Sequence, residues 1–335
     1  MSTHPVTLFT GQWADLSLEE VAAHAQEWGY DGLEVACGSH LDVQRAVEDD
    51  AYLAEFRAVL DRHELKLFAI SNHLSGQATC DDPIDFRHEA IVPKRVWGDG
   101  EQEGVRQRAA EEMKLTARAA RRLDVDTVIG FTGSSIWQYV AMFPPVPGEV
   151  IDKGYEDFAK RWNPILDVFD SEGVRYAHEV HPSEIAYDYY TSLRTLEAID
   201  HRKSFGFNWD PSHMMWQYID PVTFILDFAD LIFHVDCKDT RLKPRNGRYG
   251  ALSSHLPWGD PRRGWDFVST GHGDVPWEDC FRALRKIGYT GPISVEWEDS
   301  GMDRLRGAAE AVGFIRSLLW ELPTTSFDAA FSTKD

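Results

Sequence analysis

Acids and histidines recur at the ends of short apolar runs, and that placement has more chemical content than anything else in the sequence. His178-Glu179-Val180-His181-Pro182 closes one run and Trp209-Asp210-Pro211-Ser212-His213 a second. His234-Val235-Asp236-Cys237-Lys238-Asp239 closes a third, and Glu296-Trp297-Glu298-Asp299 a fourth. A carboxylate at the end of a buried strand costs free energy unless it is paired or ligates a cation. Carboxylates drawn to one point raise one another's pKa, and a divalent cation relieves the conflict. Oxygen donors with one imidazole suit Mn²⁺, Mg²⁺, Co²⁺ or Zn²⁺. A strand-end Glu taken singly is more often a rim charge or a salt-bridge partner. Four consecutive strands that each present such groups outweigh that reading. His181, His213 and His272 have intrinsic pKa values suited to a general base. Lys238 suits either a substrate oxygen or a structural pair with Asp239. Glu34 and His40 repeat the signal more weakly after an earlier strand, and Trp13 and His73 either line the pocket or pack.

The elements that must hold these residues alternate between strand and helix. Strand-like runs fall at Val6–Thr10, Asp31–Val35, Lys66–Ser71, Thr127–Phe131, Val174–Val180, Ser204–Trp209, Leu231–Asp236 and Pro292–Glu296. Amphipathic helices follow them, the first opened by a Ser17-to-Glu20 capping box and stopped at Gly29. Eight βα units predict a (β/α)₈ TIM barrel, with residues 1–320 as one domain and 321–335 as a C-terminal tail. An open doubly wound sheet would want a Gly-rich phosphate turn after the first strand, and Thr10-Gly11-Gln12-Trp13 is not one. The connections at about His73–Gly100, Thr132–Gly154 and Thr240–Val275 exceed plain turns. All three follow strands, on the face where barrel enzymes build their sites.

Composition removes whole classes of function. The 335 residues carry a net charge of −21, which repels phosphate backbones and argues against nucleic acid. The longest basic stretch is one short loop, Arg241–Arg248. No apolar run approaches the roughly 20 residues of a membrane span, and no secretion signal opens the chain. The four cysteines form no CxxC pair and read as reduced thiols of a cytoplasmic protein.

These motifs, together with Gly271-His272-Gly273-Asp274-Val275, resemble the xylose-isomerase-like TIM barrels. That superfamily of sugar-phosphate isomerases and epimerases also holds inosose dehydratases and endonuclease IV. The resemblance spans nearly the whole chain. It implies one divalent metal, Mn²⁺ before Mg²⁺, Co²⁺ or Zn²⁺, held by Glu179, Asp210, a strand-seven residue and Glu296, with His213 touching substrate. The family's usual strand-seven ligand position is Asp236 here. Asp236 fits the register, His234 two residues earlier fits the chemistry, and His272 is a third option from the loop. The set of extra ligands for a trinuclear endonuclease cluster is absent. The long insert from Ser253 to Trp277 and the ending Ser294–Arg304 resemble a narrower branch, the large catalytic subunit of bacterial C-glycoside deglycosidases. That branch implies a 3-keto C-glycoside substrate and a small β-rich partner subunit, with homo-oligomerisation as an alternative assembly.

One chemistry unites the substrates this resemblance implies, namely removal of a proton acidified by an adjacent carbonyl. A lyase then expels the aryl carbon by β-elimination, whereas an isomerase, epimerase or dehydratase of a free sugar or inositol derivative works on the same enediolate. A non-catalytic barrel subunit would instead bind no stoichiometric metal.

Overall fold

The computed structural model describes residues 4–140, 143–243, 250–252, 255–321 and 329. Eight parallel strands close into a barrel: β1 (Val6–Phe9), β2 (Gly32–Ala36), β3 (Lys66–Ser71), β4 (Thr127–Gly130), β5 (Arg175–Glu179), β6 (Phe205–Trp209), β7 (Ile232–Asp236) and, after a hairpin of β8 (Asp239–Leu242) and β9 (Trp265–Val268), β10 (Ile293–Val295). β10 pairs with both β7 and β1, so the barrel has no open edge. The strands read as short apolar runs because helices cover one face and the barrel interior the other.

Alternation along each strand divides the two environments. In β5, Tyr176 points to the helical layer, its ring 4.6 Å from Trp162 and 5.4 Å from Phe169. Glu179, three residues on, therefore faces the interior at the mouth. In β7, Val235 joins the outer core while His234 and Asp236 share the interior face.

The helices start where local chemistry predicts. Ser17 and Glu20 form the reciprocal cap of the helix Leu18–Trp28, and Gly29 ends it at φ 87°, a conformation only glycine adopts at no steric cost. Asp210 caps the single turn Pro211–Met215 by accepting from the Ser212 amide at 2.8 Å. That cap fixes where His213 stands.

The long connections, which exceed plain turns, hold secondary structure of their own. One helix begins at Gly148 and runs to Glu172, which absorbs the end of the Thr132–Gly154 segment. The His73–Gly100 segment contains the short helices His73–Gln77, Phe86–Glu89 and Lys94–Trp97. The Thr240–Val275 segment holds most of the β8–β9 hairpin, whose antiparallel register runs from Asp239 opposite Val268 to Leu242 opposite Trp265. Most of the basic stretch Arg241–Arg248, and all but two residues of the expected tail 321–335, lie outside the described residues. No helix among the described residues is long and apolar enough to cross a membrane.

Candidate metal centre and its pocket

Glu179, Asp210, Asp236, Lys238 and Glu296 converge at the C-terminal mouth of the barrel, each at most 7% exposed. Glu179, Asp236 and Glu296 each offer an oxygen within 4.8 Å of the others. His213 ties Asp210 to the group: its Nε2 lies 3.3 Å from Asp210 Oδ2 and 3.4 Å from Glu179 Oε1. Two carboxylate oxygens, Asp210 Oδ2 and Asp236 Oδ1, are buried with no hydrogen-bond partner. A buried acceptor left unpaired costs about 1–3 kcal/mol, so each marks a place where a cation is expected. This donor set fits the divalent ion that the sequence pattern implies. It is richer in oxygen than a Glu-Asp-His-Glu set, which favours a hard cation such as Mn²⁺ or Mg²⁺.

The electrostatics show the same conflict. Burial pushes the Asp210 and Asp236 carboxyls well above the usual range, and pushes Glu296 to about 7. Burial also opposes charge on Glu179, but the His73 hydrogen bond at 2.9 Å, with Lys238 and His181 nearby, holds it at about 2. Lys238 is buried too, yet Glu296, Glu298, Asp210 and Glu179 hold its ammonium firmly charged. Its Nζ lies 3.0 Å from Glu296 Oε1 and 3.5 Å from Glu298.

Lys238 therefore does not form the structural pair with Asp239 that adjacency in sequence suggested. Asp239 points the other way and accepts from the amides of Gly271 and Gly273 and from the Trp277 indole at 2.9–3.0 Å.

His234 and Asp236, the two leading alternatives for the third ligand, occupy different levels. Asp236 stands with Glu179 and Glu296. His234 lies below, its Nδ1 against Asn208 Oδ1 at 2.9 Å and its Nε2 3.6 Å from Glu34. Of the two, Asp236 is the one grouped with the mouth carboxylates Glu179 and Glu296.

The three candidate bases part company. His181 is half-buried on the pocket wall, its ring centroid 4.1 Å from that of His213. Its Nδ1 bonds the Pro182 carbonyl, which fixes the tautomer and leaves Nε2 free to accept a proton. Burial lowers its pKa to about 4. Burial likewise lowers His213, whose Nε2 faces Lys238 at 3.4 Å. His272 is not brought to the site; it is exposed and pairs with Glu310 on the closing helix Arg304–Leu318.

Of the four residues on the earlier strands, only His73 lines the pocket. Trp13 is fully buried against Trp28, their ring centroids 5.5 Å apart. Its neighbour Gln12 reaches the site instead, donating to Glu296 at 2.8 Å and Glu298 at 3.0 Å. His40 bonds Thr10 and the Leu16 carbonyl, a packing role. Glu34 is wholly buried beneath the mouth.

The cavity above these groups has a volume of 460 Å³, the size of a small-molecule site. One wall is aromatic. Trp216 and Trp265 stack with planes 4° apart and centroids at 4.6 Å, and Trp258 and Phe267 continue the surface. Arg263 braces it from behind, 3.9 Å from the Trp258 centroid and bonded to Asp266. The aromatic loops of the sequence imply a flat apolar surface of this kind, but which rings form it was not legible, because the wall needs the hairpin to fold against Trp216.

Residues 22–318 match the xylose isomerase-like TIM barrel family. The chain is 25% identical over 330 residues to the uncharacterised protein YfiH of Bacillus subtilis, covering 92% of this chain and 97% of that one. Its fold is similar to that of the probable 3-DHS dehydratase AsbF of Bacillus anthracis, at a TM-score of 0.64 and 18% identity over 92% of this chain and 98% of that one. It is also similar to that of 3-keto-D-glucoside 4-epimerase from E. coli, at 0.65 and 14% over 94% and 99%. With most of its length matched and its barrel closed as described, the chain belongs to the xylose isomerase-like TIM barrel family.

Proposed function

We propose that this chain is a divalent-metal-dependent lyase acting on a 3-keto C-glycoside, with Glu179, Asp210, Asp236 and Glu296 holding one ion, most simply Mn²⁺. The observation that carries the reading is the pairing within one cavity of an unsatisfied carboxylate cluster with a flat tryptophan wall. A sugar ring suits the polar floor, and an aryl group suits the stacked indoles. A dehydratase and a 3-keto-glucoside epimerase among the similar folds support an α-proton abstraction chemistry.

When bound, the ion supplies Lewis-acid stabilisation of the charge that develops on a carbonyl oxygen. The side chains do the rest. Lys238 donates to a substrate oxygen beside Glu296, and Gln12 orients that carboxylate. His181, its tautomer set by Pro182, takes the C2 proton through Nε2. The C2–H electron pair forms the C1–C2 double bond as the C1–aryl bond breaks. The departing aryl carbon then takes up the proton held by His181, so elimination consumes no oxidant and no net proton. Aromatic side chains exclude water from the aglycone.

Tyr218, Leu252 and Trp258 are exposed on the connections that follow β6 and β8. They support docking of a small β-rich partner subunit beside the mouth, with self-association as the alternative. Four buried free thiols are compatible with a cytoplasmic setting.

The test is turnover of a 3-keto C-glycoside in D₂O by the metal-loaded chain, with and without a partner subunit. Release of the aryl product together with a C1–C2 unsaturated keto sugar supports elimination. Solvent deuterium at C2 without release assigns an epimerase or isomerase acting on the same proton. Absence of both, with metal bound, contradicts catalysis on such sugars.

A further inference from the structure

Directly beneath the mouth, Glu34, His234 and Asp236 point into the barrel from β2 and β7, each at most 1% exposed. Their ligand atoms all lie within 4.8 Å of one another. The hydrogen bonds around them define which atoms carry lone pairs. Asp236 Oδ2 accepts from the Asn208 amide nitrogen at 2.6 Å, which turns Asn208 Oδ1 toward His234. His234 Nδ1, 2.9 Å away, must then be the donor, and Nε2 bears a lone pair. That Nε2 has no hydrogen-bond partner and faces Glu34 Oε2 at 3.6 Å. Both Glu34 oxygens already accept hydroxyl protons, from Ser71 and from Ser294 at 2.6 Å. With Glu34 ionised, two acceptors face each other across a buried interior. Asp236 Oδ1, the third acceptor of the group, lies 3.7 Å from His234 Nδ1 and is equally without a hydrogen-bond partner.

We propose that Glu34 Oε2, His234 Nε2 and Asp236 Oδ1 form a second cation site, a layer below the mouth, with Asp236 shared between the two. Two carboxylates and an imidazole in so enclosed a place suit a transition ion of the Zn²⁺ or Co²⁺ class. Mg²⁺ does not suit the site, because it gives up its hydration reluctantly. The lower ion would lock the Asp236 carboxylate in the orientation that the mouth requires. This site uses residues that the proposed elimination does not touch, apart from Asp236.

The test is a count of tightly held Co²⁺ by elemental analysis and visible absorption, on chain stripped of metal and refolded with Co²⁺. Two equivalents are expected in the wild type, and one each in His234→Gln and Glu34→Gln, with the visible spectrum of the imidazole-ligated ion lost in the former. Glu296→Gln should lose the mouth ion and keep that spectrum. One equivalent in the wild type, unchanged by His234→Gln and Glu34→Gln, overturns the lower site and leaves the mouth site intact. If the two variants do not fold, a cobalt-soaked crystal of the wild type decides. An anomalous peak inside the Glu34–His234–Asp236 triangle supports the site, and a water there overturns it. A peak there with none at the mouth supports this site and contradicts the proposed function.

Discussion

His181 and Glu184 lie three residues apart and do different work, one in the pocket and one buried between the connections that follow β4 and β5. With Nδ1 committed to Pro182, His181 presents Nε2 to the pocket, and one of its ring nitrogens lies within 4.8 Å of ligand atoms of Glu179 and His213. His181→Ala is expected to lower kcat by about 10²–10⁴-fold, as for a lost general base, with metal content unchanged. Equal loss of metal would reassign it as a ligand. Glu184 is buried near Asp81, and burial pushes its pKa to about 8 although Thr132 and Gly133 amides bond it. The folded chain then keeps a proton that the unfolded chain releases between the ordinary Glu value and pH 8. Stability therefore falls as pH rises through that window, by up to about 1.4 kcal/mol per unit. Glu184→Gln should flatten the slope in urea titrations between about pH 5.5 and 8; an unchanged slope refutes the assignment. Glu179, Asp210 and Glu296 were legible in the sequence because an acid at the end of an apolar strand is costly unless something binds it. His272 was misleading because its glycine-flanked loop looks mobile in sequence but is pinned by Asp239. Gln12 was missed because the turn Gly11–Trp13 buries the indole and sends the amide inward.

The β8–β9 hairpin and the segment after it depend on Asp239. Its carboxylate gathers the amides of Thr240, Gly271, Gly273 and Val275 and one indole, and at Gly273 a Cβ would stand 2.1 Å from Asp239 Oδ1. Asp239→Ala leaves those donors unpaired in a buried place and is expected to cost about 3 kcal/mol in urea denaturation. The same change should weaken binding of aryl glycosides, since Trp265 and Phe267 ride on β9. A stability loss below about 0.5 kcal/mol, as for an ordinary surface substitution, would show that the hairpin stands without it. The alternation of Trp265 and Phe267 with Asp266 and Val268 was present in the sequence. Four residues of period-two pattern inside a Gly- and Pro-rich stretch are too few to distinguish a strand from a loop. Barrel strands were easier, because burial on both faces makes them near-continuous apolar runs.

At the scale of the molecule, closure of the barrel brings carboxylates together, and in the proposed function a cation makes that arrangement favourable. Metal-free chain should melt lower than metal-loaded chain. A free Mn²⁺ concentration about one hundred times the dissociation constant adds about 2.7 kcal/mol, seen as a rise in Tm that EDTA reverses. No shift in Tm would mean that the cluster is stable with its protons alone. The order of strands and the convergence of four strand ends followed from the βα period, but the two-level arrangement of His234 and Asp236 did not. Their spacing puts both on one face about 6.6 Å apart along the strand, and which of the two stands with Glu179 and Glu296 depends on how β7 is set against its neighbours. The most direct measurement is anomalous diffraction from a Mn²⁺-soaked crystal of the wild-type chain. A peak bounded by Glu179, Asp210, Asp236 and Glu296 is the expected result. A mouth that holds only water at saturating Mn²⁺ would contradict the assignment of a metal-dependent enzyme.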